Sequence, residues 1–352
     1  MSRTVFIVWA AVTAATVIAA GVFAFKRPDV TTVQLANEPA FPALRADPDA
    51  AARIKVSAPD ESFTLVRDGE GNWGAEEKFG YPVDREKILK LIVAMSDMRL
   101  VEAKTARPDL YTRLHVEDVT AEQANSRAVR LSDAQDEALA DVIIGKRKTR
   151  YTGGNREGTY IRRTGDAQAW LGSGGVSVQG RLRDWLVKTV VNISSGDVQR
   201  VTFALPGGAS YMAVKQTEND ELQLVDPPAG AEPDEQAVGQ LSVAMSFVDL
   251  DDVKPRAQMV LPADPYVTTV VTFSGVEVTA RLAGVGEDAW AVYEAAYVGE
   301  DDAESDAGKA ARERVAEING RVDGWAYKLP DHVTDRMTKP LKDLLKTPDG
   351  QS

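Results

Sequence analysis

The constraint that bears hardest on the fold is that this chain repeats itself. The segment Leu91–Lys104 (LIVAMSDMRLVEAK) returns as Leu241–Lys254 (LSVAMSFVDLDDVK). Leu91/Leu241, Val93/Val243, the Ala-Met-Ser triplets 94–96 and 244–246, Leu100/Leu250 and Lys104/Lys254 stay in register at an offset of 150 residues, which Asp84 and Asp234 share. Upstream, IKVSAPDESFTLV from Ile54 echoes VTFALPGGASYMAV from Val201; near the ends, LRDWLVKT from Leu182 is answered by LKDLLKT from Leu341. Self-similarity at one fixed spacing means two similar structural units. They are expected over 54–197 and 198–348, the second interrupted by an acidic insertion at 299–320.

Each unit has the same pattern of periods. In the first, Ile54–Val56 and Phe63–Arg67 alternate as strands around the turn-rich DGEGNWG. Asp84 then stands as an N-cap before a helix whose Ile88, Leu91, Met95 and Met98 share one face. The second unit rebuilds that face with Asp234, Val238, Leu241, Met245 and Val248. Strand patterns follow at Ala128–Leu131, Leu139–Gly145, Thr159–Arg163 and Gln168–Leu171, then at Val267–Phe273, Val276–Ala283, Trp290–Tyr297 and Gly324–Lys328. A short closing helix is expected in each unit, near Leu182–Val190 and Thr338–Leu345. Inside the insertion, AGKAARERVAEING reads as helical. Strand runs with few helices and no regular strand-helix alternation predict an α+β class.

The amino terminus decides the compartment. Val5 to Phe25 is an uncharged apolar run of the length that crosses a bilayer as a helix, about 20 residues. It is longer than the core of a cleaved leader and predicts an anchor over 1–27, with residues 28–53 as a Pro- and Ala-rich tether. The short amino-terminal flank places the remainder outside the cytoplasm. A net charge of −12 argues against a nucleic-acid partner, which needs a concentrated positive surface. With no cysteine, thiolate chemistry and Cys-based metal sites are excluded.

No catalytic, cofactor-binding or metal-ligating set emerges. The two histidines, His115 and His332, stand in no metal-binding spacing. In Leu171–Gly175 (LGSGG) a leucine occupies the first glycine position of a nucleophile elbow. Gly145-Lys146 lacks both the upstream glycine and the following Ser or Thr of a phosphate loop. Asp302, Glu304, Asp306 and Glu313 are spaced like a calcium loop, but Ala307 sits where the sharp turn wants glycine and Lys309 where an apolar residue belongs. Asp249, Asp251 and Asp252 read as a solvated turn.

One local feature stands out in so acidic a chain. Lys146, Arg147, Lys148 and Arg150, with Tyr151, Arg156, Tyr160, Arg162 and Arg163 beyond them, form a candidate partner-binding patch for an acidic protein surface, lipid headgroups or a polyanionic glycan. Charges that keep a hairpin edge soluble are the plainer explanation.

The succession WGAEEKFGYPVDREKILKLIVAMSDMRLVEAKTARPDLYTRLHVED, ADVIIGKR, GTYIRRTGDAQAWL and RLRDWLVKTVVNI resembles the bacterial domain-of-unknown-function 4340 family over about 54–201, with the weaker repeat following. The resemblance implies a single-anchor envelope protein of the inner membrane, its bulk on the periplasmic side, associated with ABC-type transport systems of the gliding-motility kind. It carries no catalytic residue over. The expected function is a non-enzymatic, membrane-tethered accessory protein that binds subunits of a transport complex. The alternative is a carboxylate-dependent hydrolase acting on glycan or lipid in a cleft between the repeats.

Overall fold

The structure is a computed structural model and describes residues 37–151, 156–299 and 305–346. The expected anchor at 5–25 lies outside the described residues, among which no helix is long and apolar enough to cross a membrane. The tether expected over 28–53 is folded in from Glu38 onward. Leu100 N–H donates to Glu38 O at 2.9 Å and Ala40 N–H to Met98 O at 2.8 Å. Phe41 and Leu44, beside and within helix α1 (Pro42–Ala46), are buried.

The first half then lays down β1 (Arg53–Ser57), β2 (Ser62–Arg67), β3 (Trp73–Ala75), β4 (Tyr81–Pro82), α2 (Arg85–Ser96), β5 (Leu100–Thr105), β6 (Arg127–Ser132), β7 (Ala138–Tyr151), β8 (Arg156–Arg163) and β9 (Ala169–Ser173). A short strand β10 (Thr189–Val191) closes it. The second half follows with β11 (Val198–Ala204), β12 (Ser210–Val214), β13 (Gln223–Leu224), α3 (Glu235–Gly239), β14 (Val248–Asp249), β15 (Asp252–Pro255), β16 (Tyr266–Thr272), β17 (Val276–Ala283), β18 (Trp290–Tyr297), α4 (Asp306–Val322), β19 (Trp325–Lys328) and α5 (Asp331–Met337).

Strand order carries the duplication from sequence into topology. The two large sheets run β4-β3-β2-β1-β6-β7-β8-β9-β5 and β13-β12-β11-β16-β17-β18-β19-β15. Apart from the two-residue β4, each strand of the first has its counterpart at the same place in the second. In both, the strand after the repeated helix (β5 or β15) travels to the far edge to pair antiparallel with the last strand: Leu100 with Gly172, Asp252 with Lys328. The closing bridges match too, Val83 with Leu186 and Pro233 with Leu345.

Spatial clustering does not follow the two halves. One compact unit gathers the described parts of 37–48, 91–129 and 139–178; the other gathers 49–90, 130–138 and 179–346. The first is built on β7-β8-β9-β5, with Met98 packed so closely over Gly172 that a Cβ there would lie 2.6 Å from its sulfur. In the second, β10 pairs with β14 (Thr189 with Asp249, Val191 with Val248), and Ser246 Oγ donates to Ile193 O at 2.6 Å. This ribbon joins the end of one sequence half to the repeated motif of the other.

The helix faces are as the periodicity predicts. Asp84 caps α2 by accepting from Glu86 N and Lys87 N, and Asp234 caps α3 by accepting from Gln236 N and Ala237 N. Ile88, Leu91, Met95 and Met98 are buried, as are Val238, Leu241, Met245 and Val248. The second helix is nevertheless cut to one α-turn followed by a 3-10 turn, Gln240–Val243. Gly239 stands where the first half has Leu89, and glycine costs about 1 kcal/mol in a helix interior. Two further expectations need correction. At Leu182–Val190 there is a 3-10 turn (Leu182–Asp184) and then β10, because Val190 and Val191 are drawn into the ribbon. At the carboxyl end the helix is α5, seven residues earlier than expected; Pro340 starts a separate 3-10 turn, Leu341–Leu344.

The second unit holds a chain of buried aromatic rings. Tyr81 packs edge-on against Trp325 (centroids 5.0 Å apart, 89°) and Tyr327 (6.1 Å, 78°), and Tyr327 against Tyr293 (6.1 Å, 61°). Their hydroxyls donate to Val187 O at 3.0 Å (Tyr81), Arg321 O at 3.0 Å (Tyr327) and Met337 Sδ at 3.7 Å (Tyr293). Burial pushes the Tyr81 hydroxyl up to about 12 and raises those of Tyr293 and Tyr327 as well. An unfolded tyrosine loses its proton near pH 10. Between about pH 10 and 12 the unfolded chain therefore binds fewer protons than the folded one, and stability falls as pH rises. Three such groups give a limiting slope of about 4 kcal/mol per pH unit. Urea unfolding between pH 9 and 12, followed with tyrosinate absorbance, should show that loss beginning near pH 10; stability that stays level through pH 11 would contradict the burial of the three hydroxyls.

Candidate binding surface on the long hairpin

Apart from the inserted helix α4 of the second half, the two sheets differ most at β7, which has 14 residues where its counterpart β17 has 8. The extension comes with two bulges. Ile144 pairs with Ile161 but Arg147 with Thr159, and Lys148 pairs with Gly158 but Tyr151 with Arg156. Gly145 lies in the first bulge. A Cβ on it would meet Leu114 O at 2.3 Å and His115 O at 2.8 Å, so only glycine lets the 114–116 segment lie directly on the strand. Lys146 N–H donates to Leu114 O at 3.1 Å, and His115 takes a left-handed φ of 56° to make the approach.

The residues of the predicted patch separate into distinct roles. Arg162 is buried, its side chain 7% exposed. Its Nε donates to Val116 O (2.9 Å), Nη1 to Asp166 O (3.2 Å) and Nη2 to Asp118 Oδ1 (2.5 Å), with the guanidinium 4.6 Å over the Tyr111 ring. Arg163, its neighbour on the opposite strand face, donates through Nε and Nη2 to Ala40 O at 3.2 and 2.8 Å. Both arginines therefore hold backbone together and leave the patch. Tyr160 leaves it too: it is buried with Tyr111, Val116, Ile143, Ala169 and Leu171. Arg147 is paired with Glu157 at 2.6 Å. What remains is Lys146 and Arg150, both exposed, and Lys148, half-buried, none with an ion-pair partner among the described residues. Tyr151 and Arg156 form the last backbone pair toward the tip.

The other chemistries considered find no assembly. Asp249 accepts from Thr189 Oγ1 (2.8 Å), Asp251 pairs with Arg183 (3.1 Å) and Asp252 with Lys78 (2.6 Å). Among the described residues no three His, Asp or Glu side chains are grouped to hold a metal ion. Asp306 and Glu313 belong to one continuous helix, α4, capped by Ser305, so the calcium-like spacing does not form a loop there; Asp302 and Glu304 lie outside the described residues. His332 is exposed on α5. Sequence reading passed over four other cations, Arg53, Lys55, Arg67 and Arg130, which three strands bring to one cleft. The only sign of them was the alternation of Arg53 and Lys55 with the buried Ile54 and Val56.

No curated protein and no solved structure matches the chain. The model of the family described as "Domain of unknown function (DUF4340)" matches residues 73–254, from β3 through the repeated helix of the first half to the last residue of its second copy. That span is more than half of the 352 residues and takes in the WG, YPVD, PDLYTRL and YIRR segments together. The chain belongs to the domain-of-unknown-function 4340 family.

Proposed function

We propose that this protein is a non-enzymatic binding subunit, tethered by its apolar run at 5–25 with the folded part on the periplasmic side of a bacterial inner membrane, and that it engages subunits of an ABC-type transport complex. The observation that carries this reading is the divergence of the halves at β7. An otherwise matching sheet has there a strand six residues longer, whose Lys146, Lys148 and Arg150 have no ion-pair partner among the described residues. Unneutralised cations on a projecting strand in a chain of net charge −12 suit an acidic protein surface, where complementarity acts mainly on encounter and specificity. The hydrolase reading would draw on carboxylates near the repeated motif, and Asp249, Asp251 and Asp252 already serve as partners to Thr189, Arg183 and Lys78.

The test is recovery of membrane partners with the full-length protein in mild uncharged detergent, wild type against K146E/K148E/R150E. Transport subunits should accompany the wild type, diminish as salt is raised from about 0.05 to 0.3 M, where screening shortens to within about 10 Å, and be lost from the variant. An unchanged partner set in a variant of unchanged melting temperature would refute the role of the hairpin.

A further inference from the structure

The second half is open at an edge that the first half closes. A cleft of about 950 Å³ lies there between two stretches of chain. One is β13 with the two residues before it; the other runs from Glu232 through α3 into the 3-10 turn at Gln240–Val243. Strand pairing sets β13 on β3. Ile54 pairs with Leu65 and Leu65 with Ala75, as Val201 pairs with Ala213 and Ala213 with Leu224. Leu224 therefore takes the place of Ala75, and Leu222 that of Trp73.

Beyond β3 the first half has β4, with Gly74 paired to Pro82 and Ala75 to Tyr81, and Val83 N–H donates to Trp73 O at 3.1 Å. The second half cannot repeat this. Pro233 stands 150 residues after Val83 and has no N–H to offer Leu222 O, and Pro227 and Pro228 interrupt the segment that would form the strand. β13 is thus left as the edge of its sheet. Val225 N–H donates to Met212 O at 2.9 Å, and the backbone groups of successive residues in an antiparallel strand point to opposite sides. Leu222 and Leu224 consequently turn their N–H and C=O groups away from β12, toward the cleft, where they have no partner among the described residues.

The lining differs from its counterpart in bulk and in charge. Leu222 and Ser242 are smaller than Trp73 and Ile92, which are buried in the first half. The lining holds three carboxylates, Glu221, Glu232 and Glu235, and no cation. Asn72, Pro82 and Arg85 occupy those places in the first half, where Lys90 adds a second cation against the one carboxylate of Glu86. Lys346 pairs with Glu232 and lies within electrostatic reach of Glu235, whereas Glu221 has no cation beside it among the described residues.

We propose that an extended segment of a partner protein adds to β13 as the strand that the second half lacks. Its apolar side chains lie against Leu224, Val238 and Val243, and lysine or arginine at the alternate positions reaches Glu221 and Glu235. In strand addition the main-chain bonds supply affinity, and the pockets for alternate side chains supply specificity. The outward groups of Leu222 and Leu224 recur at the two-residue spacing of a strand. A cleft at the upper end of the usual ligand range, roughly 300–1,000 Å³, admits a few residues of chain but not a folded domain.

The experiment is fluorescence-anisotropy titration with the full-length protein in uncharged detergent at low ionic strength. The labelled probe is an end-blocked hexapeptide alternating lysine and valine. One control alternates glutamate and valine, and another carries proline at both central positions. Each is run on wild type, Leu224→Pro, E221Q/E235Q and K146E/K148E/R150E. The lysine peptide should bind saturably and the controls should not. Leu224→Pro removes an outward N–H at a sheet edge, where proline is tolerated, and should weaken binding about tenfold. E221Q/E235Q alters two exposed side chains, should melt with the wild type and should weaken binding about threefold, the worth of a few exposed ion pairs. The hairpin variant should bind as the wild type does. No binding of the lysine peptide, equal binding of either control, or an unchanged affinity in E221Q/E235Q would each overturn the proposal. So would self-association of the wild type that Leu224→Pro abolishes, which would assign the edge to a second copy. Should Leu224→Pro fail to fold, the proline peptide and E221Q/E235Q decide the matter. None of these results bears on partner recovery through the hairpin.

Discussion

Tyr81→Ala is expected to lower the folding free energy by about 3–5 kcal/mol, the range for truncating a buried aromatic residue. Tyr81 is only 1% exposed, and its ring sits edge-on between Trp325 and Tyr327. Removing it leaves a void at the head of a chain of rings and strips Val187 O of its donor. Tyr81→Phe keeps the ring and loses the hydrogen bond, so it should cost only about 1 kcal/mol. It should also reduce the alkaline slope by one tyrosine's share. Urea unfolding at pH 7 separates the two variants. If Tyr81→Ala costs no more than Tyr81→Phe, the ring is not a packing element and the aromatic chain does not hold this unit together.

Arg162→Ala should cost about 3 kcal/mol, since it leaves the buried carbonyl of Val116 and the half-buried one of Asp166 without a donor and uncovers the Tyr111 ring. Arg162→Lys should recover little of this, because an ammonium cannot span two carbonyls and a carboxylate as a planar fork does. Lys146→Ala, on the same hairpin, should stay within about 0.5 kcal/mol of wild type. Melting and urea unfolding of the three variants measure this directly. Equal effects at 162 and 146 would erase the distinction between the structural arginine and the exposed surface cation.

That distinction was half legible in the sequence. Arg162 and Arg163 are adjacent in a strand, and a period of two obliges neighbours to take opposite faces, so one of them had to turn inward. Which one was decided by the packing of Tyr160, on the face of Arg162, against Tyr111 and Val116 and by the segment crossing at Val116, and no local pattern carries that. The helix faces were fully legible, since a cap at Asp84 or Asp234 and apolar spacing of three and four depend only on nearby residues. The closing elements were not. Val190 and Val191 have the composition of a strand, but only the presence of β14 opposite them makes one, which is why the segment was read as a helix. The basic cleft was the least legible feature of all. Residues 53, 55, 67 and 130 meet only because β6 pairs beside β1, and strand order is a property of the whole sheet.

The travel of β5 and β15 to the far edge of their sheets has a consequence for how the chain reaches its native state. Leu100 waits for Gly172 and Asp252 for Lys328, so neither sheet can be completed by hairpins zipping in sequence. Topologies so rich in distant pairings fold slowly, on the order of milliseconds to seconds even in small domains. While β5 waits, an edge of the same design is being laid down 150 residues later, and a strand can dock in the wrong copy. The strands that must travel, β5 and β15, begin inside the best-preserved stretch of the repeat, 91–104 and 241–254, so sequence does little to tell one edge from the other. Correct docking of each edge rests instead on its own partner strand, β9 or β19, being in place first.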